Sequence, residues 1–271
     1  MTATEVRPLK SDDIPQLMEI DKEIFPDDPL EEDWLKKRME RDGCFVLCQN
    51  EQILGNLIVA PYGKDEGHLG RIGVAKNEQG KGYGSILMEY AIDWFRSKGN
   101  IKSVHLYTQD FNETAQNLYK KFGFERSGTT WHYFVPYETL RAKKQLTVQT
   151  IKDDEIDSVG ERYASLPPEQ IRKLLTYEEF LVLTLKDRIG NVVGVCRFTP
   201  SFPGCFPFEI TRVEYFDDFI DGVVRFGLPE YDYVRVTFTD IPELAQLCDD
   251  RRYRLHHRLL KMTLLLQLKQ S

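Results

Sequence analysis

The chain has 271 residues, a formal net charge of -7 and 41% hydrophobic residues, which indicate a globular protein long enough for two modest domains. The acidic balance excludes a general nucleic-acid binder, because such proteins present a basic surface. The sequence starts without the apolar core of a signal peptide, and its five cysteines form no C-x-x-C or metal-ligand pattern. We therefore expect a cytoplasmic protein with reduced thiols and no metal, with neither a membrane nor a nucleic acid as partner.

The first 74 residues predict an alternation of helices and strands. Apolar residues at helical spacing predict helices over 14–25 and 34–41. Short apolar runs bounded by turn residues predict strands over 6–9, 44–48, 53–60 and 68–74.

A glycine-rich turn, Gln79-Gly80-Lys81-Gly82-Tyr83-Gly84-Ser85, follows the last of these strands and precedes a predicted helix over 85–96. The first N–H groups of a helix lack internal partners, and glycine lets an anion approach the backbone closely. The turn therefore predicts a site for a pyrophosphate-bearing ligand. A Walker loop is excluded because Gly82 follows Lys81, and the dinucleotide fingerprint fails because Gly84 stands one position early.

A second group of residues lies one predicted strand, 101–108, further along the chain. Asn112 lies just before a predicted helix over 114–122, Ala115 and Tyr119 lie along it, and Gly123-Phe124 follow it. A further strand is expected over 131–135. Together with Gln-x-x-Gly-x-Gly in the glycine turn, this spacing resembles the two ordered motifs of the GNAT superfamily of N-acetyltransferases. The resemblance covers roughly residues 4–136. It implies an α/β (α+β) GNAT fold, in which a mixed, mostly antiparallel sheet is flanked by helices.

The second half of the chain repeats the pattern of the first half. Residues 148–154 echo 6–12, the hairpin-like stretch 181–198 echoes 46–58, and 236–245 mirrors 107–115. We predict a fold duplicated in tandem, with a catalytic GNAT domain over 1–138 and a degenerate GNAT-like domain over 146–271.

The degenerate half lacks the residues expected to bind the donor. Phe216-Asp217-Asp218 replaces the glycine turn between a predicted strand, 209–215, and a predicted helix, 219–226, and its carboxylates would repel a pyrophosphate. Pro242 stands in the place of Asn112, and Asp249 falls near the place of Tyr119. We expect this half to be a structural partner that completes or shields the acceptor site; the alternative is an independent substrate-binding role.

The GNAT resemblance implies acetyl-CoA as donor and assigns roles to particular residues. Transfer to an amine requires a held donor, a deprotonated amine, a stabilised oxyanion and a protonated thiolate. Tyr119 is implied as the general acid near the sulfur, and a backbone N–H near Ile72 or Gly73 as the partner of the thioester carbonyl. The residues implied to bind the pantetheine arm or pyrophosphate are Ile72, Val74, Asn112, Gln79, Gly80, Lys81, Gly82, Tyr83, Gly84 and Ser85.

The general base and the acceptor are less defined by the sequence. The GNAT resemblance implies His68 as the first candidate for the base, because it lies six residues before Val74, at a strand position where GNAT members often carry a His or Glu, and its ordinary pKa near 6.5 suits proton transfer. Glu66 is the reserve, and a water-mediated route without a single base is the third option. The acidic segment 26–33 either attracts an ammonium group or is a solvated loop.

We predict an acetyl-CoA-dependent N-acetyltransferase that acts directly on a primary amine of a small molecule or peptide, as a monomer or homodimer. The alternatives are a non-catalytic acyl-CoA-binding regulatory protein and a tandem acetyltransferase of the mycothiol-synthase type.

Overall fold

The computed structural model describes residues 4–266, which divide between two compact units. Among the described residues, the first unit comprises 4–127 and 261–266, and the second comprises 128–260. The helices and strands up to residue 136 are β1 Glu5–Pro8, α1 Ile14–Ile24, α2 Glu32–Met39, β2 Cys44–Gln49, β3 Gln52–Tyr62, β4 Glu66–Val74, α3 Tyr83–Ser97, β5 Ser103–Gln109, α4 Glu113–Lys121 and β6 Glu125–Pro136.

The remaining elements repeat this order. They are β7 Thr147–Thr150, α5 Ile156–Arg162, α6 Pro168–Leu174, β8 Leu181–Lys186, β9 Val192–Thr199, β10 Gly204–Ile210, α7 Phe216–Val224, β11 Tyr233–Thr239, α8 Pro242–Asp250 and β12 Arg254–Leu265. No helix among residues 4–266 has the length and hydropathy needed to cross a membrane.

Each unit contains a mixed sheet with helices on its faces. In the first unit the strand order is β1-β2-β3-β4-β5 followed by the end of β12; in the second it is the start of β12, then β6-β11-β10-β9-β8-β7. The pairs β4–β5 and β10–β11 are parallel, whereas β1–β2, β2–β3, β3–β4, β7–β8, β8–β9, β9–β10 and β6–β11 are antiparallel. The predicted GNAT fold in tandem is confirmed.

The core of the first unit forms because α3 presents one apolar face to the sheet. Leu87, Ala91 and Phe95 lie four residues apart on that face and are fully buried against Leu57 and Val59 of β3. This packing fixes the start of α3 at the end of β4, which is where the glycine turn lies. The fold thus places the turn beside the edge of β4 that faces β5.

The compact units differ from the predicted division at 138 and 146. Tyr133 and Val135 of β6 belong to the hydrophobic core of the second unit, whereas Met262 and Leu266 at the end of the chain belong to that of the first. A single cut in the sequence cannot reproduce this division, because the first unit takes its core residues from two distant stretches of the chain. Residues 1–3 and 267–271 of the predicted domains lie outside the described part of the chain. The division of roles between the halves stays a prediction.

The expectations for the second half differ from the structure in several details. The strand expected over 209–215 is β10 Gly204–Ile210, and α7 begins at Phe216 rather than near 219, because Phe216, Phe219 and Ile220 form one buried helical face. Ile241, rather than Pro242, occupies the N-cap position that Asn112 occupies in α4. The position of Tyr119, seventh in α4, is taken by Cys248, seventh in α8.

Candidate active site

The glycine turn presents unpaired backbone donors at the start of α3. Gly80 and Gly82 have φ of +78° and +89°, a region that other residues avoid, and a Cβ atom on either would meet nothing within 4 Å. Among residues 4–266, no group accepts a hydrogen bond from the backbone N–H groups of residues 80–84. The dipole of the 15-residue helix adds partial positive charge at this end. The turn therefore has the geometry of an anion site.

The edge of β4 that leads into this turn is open. Parallel pairing with β5 is confined to three positions, from Glu66↔Ser103 to His68↔His105. The N–H of Ala75 donates to Leu54 O on β3 at 2.9 Å, and pairing in an antiparallel ladder alternates. The N–H of Gly73 is therefore directed at β3, and those of Ile72 and Val74 face the open side. Of the two backbone donors expected for the thioester carbonyl, Ile72 is the one that faces outward.

The side chain of Gln79 connects the strand to the turn. Its Nε2 donates to Val74 O at 3.0 Å, which occupies one acceptor on the open edge and fixes the start of the turn. Lys81 forms an ion pair with Glu78 at 2.9 Å on the outer side. Neither contact uses a backbone N–H of residues 80–84.

Helix α4 carries Tyr119 on its inner side, and Asn112 stands at its N-terminus. Asn112 is the N-cap, and its Oδ1 accepts the N–H of Ala115 at 3.1 Å. The Tyr119 side chain is 6% exposed, and its hydroxyl has no hydrogen-bond partner among residues 4–266. Burial raises the pKa of Tyr119 to about 12, so the hydroxyl keeps its proton at neutral pH and can donate it.

A cation that the sequence motifs do not include lies beside the turn. Lys121, in the last turn of α4, places its Nζ 3.2 Å from Ser85 Oγ in the first turn of α3. The two helices approach closely here, since a Cβ on Gly84 would lie 3.1 Å from Leu118. A Lys-Lys pair at the end of a predicted helix was the available signal, but helix C-termini favour lysine without any ligand.

His68 lies at the last position where β4 pairs with β5, and the open edge extends from there to the turn. Its ring contacts a second histidine. The ring centroids of His68 and His105 are 4.8 Å apart, and Tyr62 and Tyr107 flank the pair. Burial lowers the pKa of His68, opposed by a backbone hydrogen bond with His105 and reinforced by Lys261. Burial, His68 and Lys261 lower the pKa of His105 to about 3. Both imidazoles are therefore neutral at pH 7.

Glu66, the reserve base, contacts His105 rather than the space around His68. Its Oε2 lies 3.4 Å from His105 Nδ1, without the geometry of a hydrogen bond. His105 stays neutral in spite of this carboxylate because its burial dominates. His105 therefore lies between Glu66 and His68, the first candidate for the base.

A cavity of about 410 Å³ opens beside His68. We call it the acceptor pocket, and its lining comes from the α1–α2 segment, α2, β3 and β4: Asp28, Pro29, Leu30, Glu31, Trp34, Arg38, Ile58, Val59, Ala60, His68, Gly70 and Arg71. Gly70 is the extra residue of a β-bulge, because Ile58 pairs with Arg71 and Val59 with Leu69. The bulge and the imidazole therefore border the same cavity.

The two arginines of the acceptor pocket are held by other groups of the protein, whereas its carboxylates are exposed. Arg71 is held by buried Asp21, and Arg38 donates to the backbone carbonyls of Arg41, Asp42 and Val59. Asp28 contacts Arg71 at 3.3 Å but is 85% exposed, and Trp34 is 47% exposed. The outward-facing carboxylates and the indole ring therefore suit a cationic group.

In the second unit, two carboxylates stand at the helix start that corresponds to the glycine turn of the first unit. Asp218, in the first turn of α7, accepts the N–H groups of Lys143, Lys144 and Gln145 at 2.6, 2.9 and 3.0 Å. Asp217 forms a two-point ion pair with Arg251. Both carboxylates at the start of this helix are thus occupied by the protein's own donors.

The structure brings the sequence-predicted residues into one region of the first unit: the turn, the open edge of β4, Tyr119 and His68. It adds residues that the motifs do not contain, namely Asp21, Arg71, His105 and Lys121. A buried Asp in an otherwise apolar helix stripe was a signal for Asp21, but nothing in the sequence named its partner.

Comparison with known proteins identifies a family for part of the chain. Residues 14–124 match the Acetyltransferase (GNAT) family. This part of the chain is therefore a GNAT acetyltransferase domain.

One relative gives a more particular likeness. The chain is similar to a mycothiol acetyltransferase from Renibacterium salmoninarum, with 34% identity over 102 residues that cover 35% of this chain and 30% of that protein. The chain thus aligns with less than a third of that relative's length.

Solved structures resemble the whole chain in fold. A GCN5-related N-acetyltransferase from Sphaerobacter thermophilus has a TM-score of 0.72 at 14% identity, with 97% of this chain and 95% of that chain covered. A tandem GNAT protein from the clavulanic acid biosynthesis pathway has a TM-score of 0.64 at 16% identity, with 97% and 98% covered. At these identities the likeness shows the fold alone.

Proposed function

We propose that the protein is an acetyl-CoA-dependent N-acetyltransferase that moves an acetyl group directly to a primary amine of a small molecule or peptide. The observation that carries the proposal is the set of unpaired N–H groups of residues 80–84 beside the open edge of β4. Such donors at a helix start fit a diphosphate, and an open strand edge fits an extended amide-containing arm.

The donor site is built from the chain's own backbone. The N–H groups of residues 80–84 hold the diphosphate, with the Lys121 ammonium and the Ser85 hydroxyl beside them. Ile72 and Val74 hydrogen-bond the pantetheine arm through their outward main-chain groups, and the Nδ2 of Asn112 is left for the same arm because its Oδ1 caps α4. Acetyl-CoA supplies an activated acyl group when it is bound there.

Proton transfer is divided between two side chains of the first unit. His68 is neutral at pH 7 because burial lowers its pKa, so it can take the proton of the amine. Tyr119 keeps its proton because burial raises its pKa to about 12, so it can protonate the departing thiolate. Opposite shifts of this kind separate the base from the acid.

The acceptor enters through the acceptor pocket. Its floor is apolar, with Ile58 and Val59 buried, and Asp28, Glu31 and Trp34 stand at the mouth. Carboxylates and an aromatic face attract an ammonium group, which His68 then deprotonates inside. A volume of about 410 Å³ suits a small amine or the first residues of a peptide.

The relative from Renibacterium favours a second candidate for the acceptor. Its identity of 34% over 102 residues makes an acceptor of the kind used by a mycothiol acetyltransferase worth including in the test. The chemistry at the donor is the same in both cases.

The test measures thiol release from acetyl-CoA with a panel of primary amines, peptides and amino-sugar acceptors. We expect turnover with at least one acceptor and thermal stabilisation by CoA alone. Stabilisation without turnover on any acceptor would favour a non-catalytic acyl-CoA-binding protein. Absence of both would overturn the proposal.

A further inference from the structure

One face of the sheet in the second unit carries two arginines, Arg235 and Arg254, and neither forms an ion pair with a carboxylate among residues 4–266. His132 and Phe134 of β6 pair across to Thr237 and Arg235 of β11. The guanidinium of Arg254, on β12, lies 3.8 Å from the centre of the Phe134 ring. We call the surface formed by His132, Phe134, Arg235 and Arg254 the cationic face.

Two nitrogen atoms of this face are buried without a partner. Arg235 Nε and His132 Nε2 have no hydrogen-bond partner among residues 4–266. An unpaired buried polar atom costs about 1–3 kcal/mol, and buried polar atoms without partners are rare in folded proteins. Arg235 Nε–H is a donor and points to an acceptor that is not part of the chain, and a neutral His132 can carry its one N–H on Nε2 and donate to the same acceptor.

The electrostatics of the face favour an anion. Burial lowers the pKa of Arg235 to about 10, which leaves it charged at neutral pH, and the titratable groups that act on it are Tyr233 and Tyr231. Burial and three neighbours, His256, Arg235 and His257, lower the pKa of His132 to about 4. No carboxylate within the described chain contributes to either shift. In a protein of net charge -7, such a surface concentrates positive potential locally.

In the first unit the counterpart of Arg235 is His105, and the counterpart of Gly204 is His68, the proposed base. His68 pairs with His105 between β4 and β5, as Gly204 pairs with Arg235 between β10 and β11. Arg235 Nη2 lies 3.7 Å from the position of a Cβ on Gly204. The guanidinium therefore occupies space near the strand position where the first unit carries an imidazole. A permanent cation cannot accept a proton, but it can hold an anion.

We propose that the cationic face binds the oxyanion group, a carboxylate or a phosphate, of a small molecule. Arg235 holds the oxyanion from the inner side, and its Nε gains the acceptor that it lacks. Arg254, exposed and stacked on Phe134, closes the site from the outer side. The second unit thus has a ligand site of its own, with chemistry opposite to that of the acceptor pocket.

Titration of the full chain with inorganic phosphate and with acetate tests this proposal. Calorimetry gives the Kd, and the His132 ring resonances, assigned with His132→Asn, report binding at the face. We expect a Kd of about 1 mM or tighter for at least one anion. Tighter binding of phosphate assigns the site to a phosphate group, and tighter binding of acetate assigns it to a carboxylate.

Three variants decide whether the face is responsible. Arg235→Gln should weaken binding about tenfold or more, and Arg254→Gln, at an exposed position that folding tolerates, should weaken it severalfold. Arg188→Gln, on the turn between β8 and β9, should leave the affinity unchanged. CoA should stabilise all three variants as it does the parent chain. If no anion shifts the His132 resonances, or if the shift persists in both Arg235→Gln and Arg254→Gln, the proposal is overturned.

Discussion

Asp21 and Arg71 form a two-point ion pair that connects helix α1 to strand β4. Arg71 Nε and Nη2 donate to Asp21 Oδ1 and Oδ2 at 2.7 and 2.8 Å, and the Asp21 side chain is fully buried. The N–H of Leu30 donates to the same carboxylate at 2.8 Å. One carboxylate therefore holds two lining residues of the acceptor pocket, Leu30 and Arg71.

Replacement of Asp21 by Ala should lower the free energy of unfolding by about 3–5 kcal/mol, because it leaves a cation buried without its partner. It should also raise the KM for the amine, since Leu30 and Arg71 line the pocket. Urea unfolding and steady-state kinetics measure the two effects. Asp157→Ala is the control, because its pair with Arg172 is exposed and should contribute less than about 1 kcal/mol. Equal losses in the two variants would contradict the structural role of Asp21.

Tyr119→Phe should lower kcat about 10²-fold and leave the affinity for CoA nearly unchanged. The variant loses the proton donor but keeps the buried ring that packs against Phe124. Kinetics and the shift in Tm on addition of CoA measure the two quantities. Tyr90→Phe, on α3 beside Phe45, is the matched control and should keep kcat. An unchanged kcat in Tyr119→Phe would exclude the hydroxyl as general acid.

The pH dependence of kcat/KM should identify the base. Because burial lowers the pKa of His68 below its ordinary 6.5, the imidazole is neutral above that pH and gains a proton only as the pH falls through the lower value. The rate should therefore rise with pH on an acid limb centred below 6.5 and then stop depending on His68. The ionisation of the amine itself gives a separate rise at higher pH.

His68→Gln should remove this acid limb and lower kcat/KM roughly 10²-fold. Glu66→Gln should keep the limb, because the carboxylate contacts His105 and is absent from the lining of the acceptor pocket. The opposite result, a limb lost with Glu66 and kept without His68, would make Glu66 the base. A limb kept in both variants would indicate the water-mediated route.

The sequence predicts the parts of the site that depend on local backbone requirements. Gly80 and Gly82 are needed because the turn has positive φ, and Asn112 is needed because it caps α4. Because these backbone requirements fall at fixed positions along the chain, a sequence motif captures them. Arg71 and Asp21 are 50 residues apart and meet only through packing, so no spacing rule reveals them. That Met262 and Leu266 belong to the core of the first unit escaped prediction for the same reason, since it depends on which strands pair.

Asp218→Asn should loosen the segment between β6 and β7 of the second unit. The Asp218 carboxylate accepts three backbone N–H groups from residues 143–145, and an amide has one oxygen in place of two. We expect faster tryptic cleavage after Lys143 and Lys144 and a loss of about 1–3 kcal/mol in the free energy of unfolding. Asp221→Asn, on the same helix, should change neither. Cleavage at the parental rate would show that these hydrogen bonds do not hold the segment.

Gly82→Ala tests the donor site against a nearly identical backbone elsewhere. Gly82 and Gly190 both have φ of +89°, and a Cβ on either meets nothing within 4 Å. Alanine should therefore cost both sites a similar stability, about 1–2 kcal/mol, through the left-handed backbone alone. The methyl group at residue 82, however, stands among the N–H groups that would hold the diphosphate, whereas residue 190 lies in the turn between β8 and β9 of the second unit.

The two variants should therefore have similar Tm values without ligand and different responses to CoA. Since stabilisation by a ligand follows its concentration relative to Kd, a series of CoA concentrations converts the Tm shift into an affinity. Gly190→Ala should keep the parental affinity, and Gly82→Ala should lose at least tenfold. If CoA stabilises both variants equally, the N–H groups of residues 80–84 do not bind its diphosphate, and the loss of this contact would leave the open edge of β4 without the anchor that the proposed reaction requires.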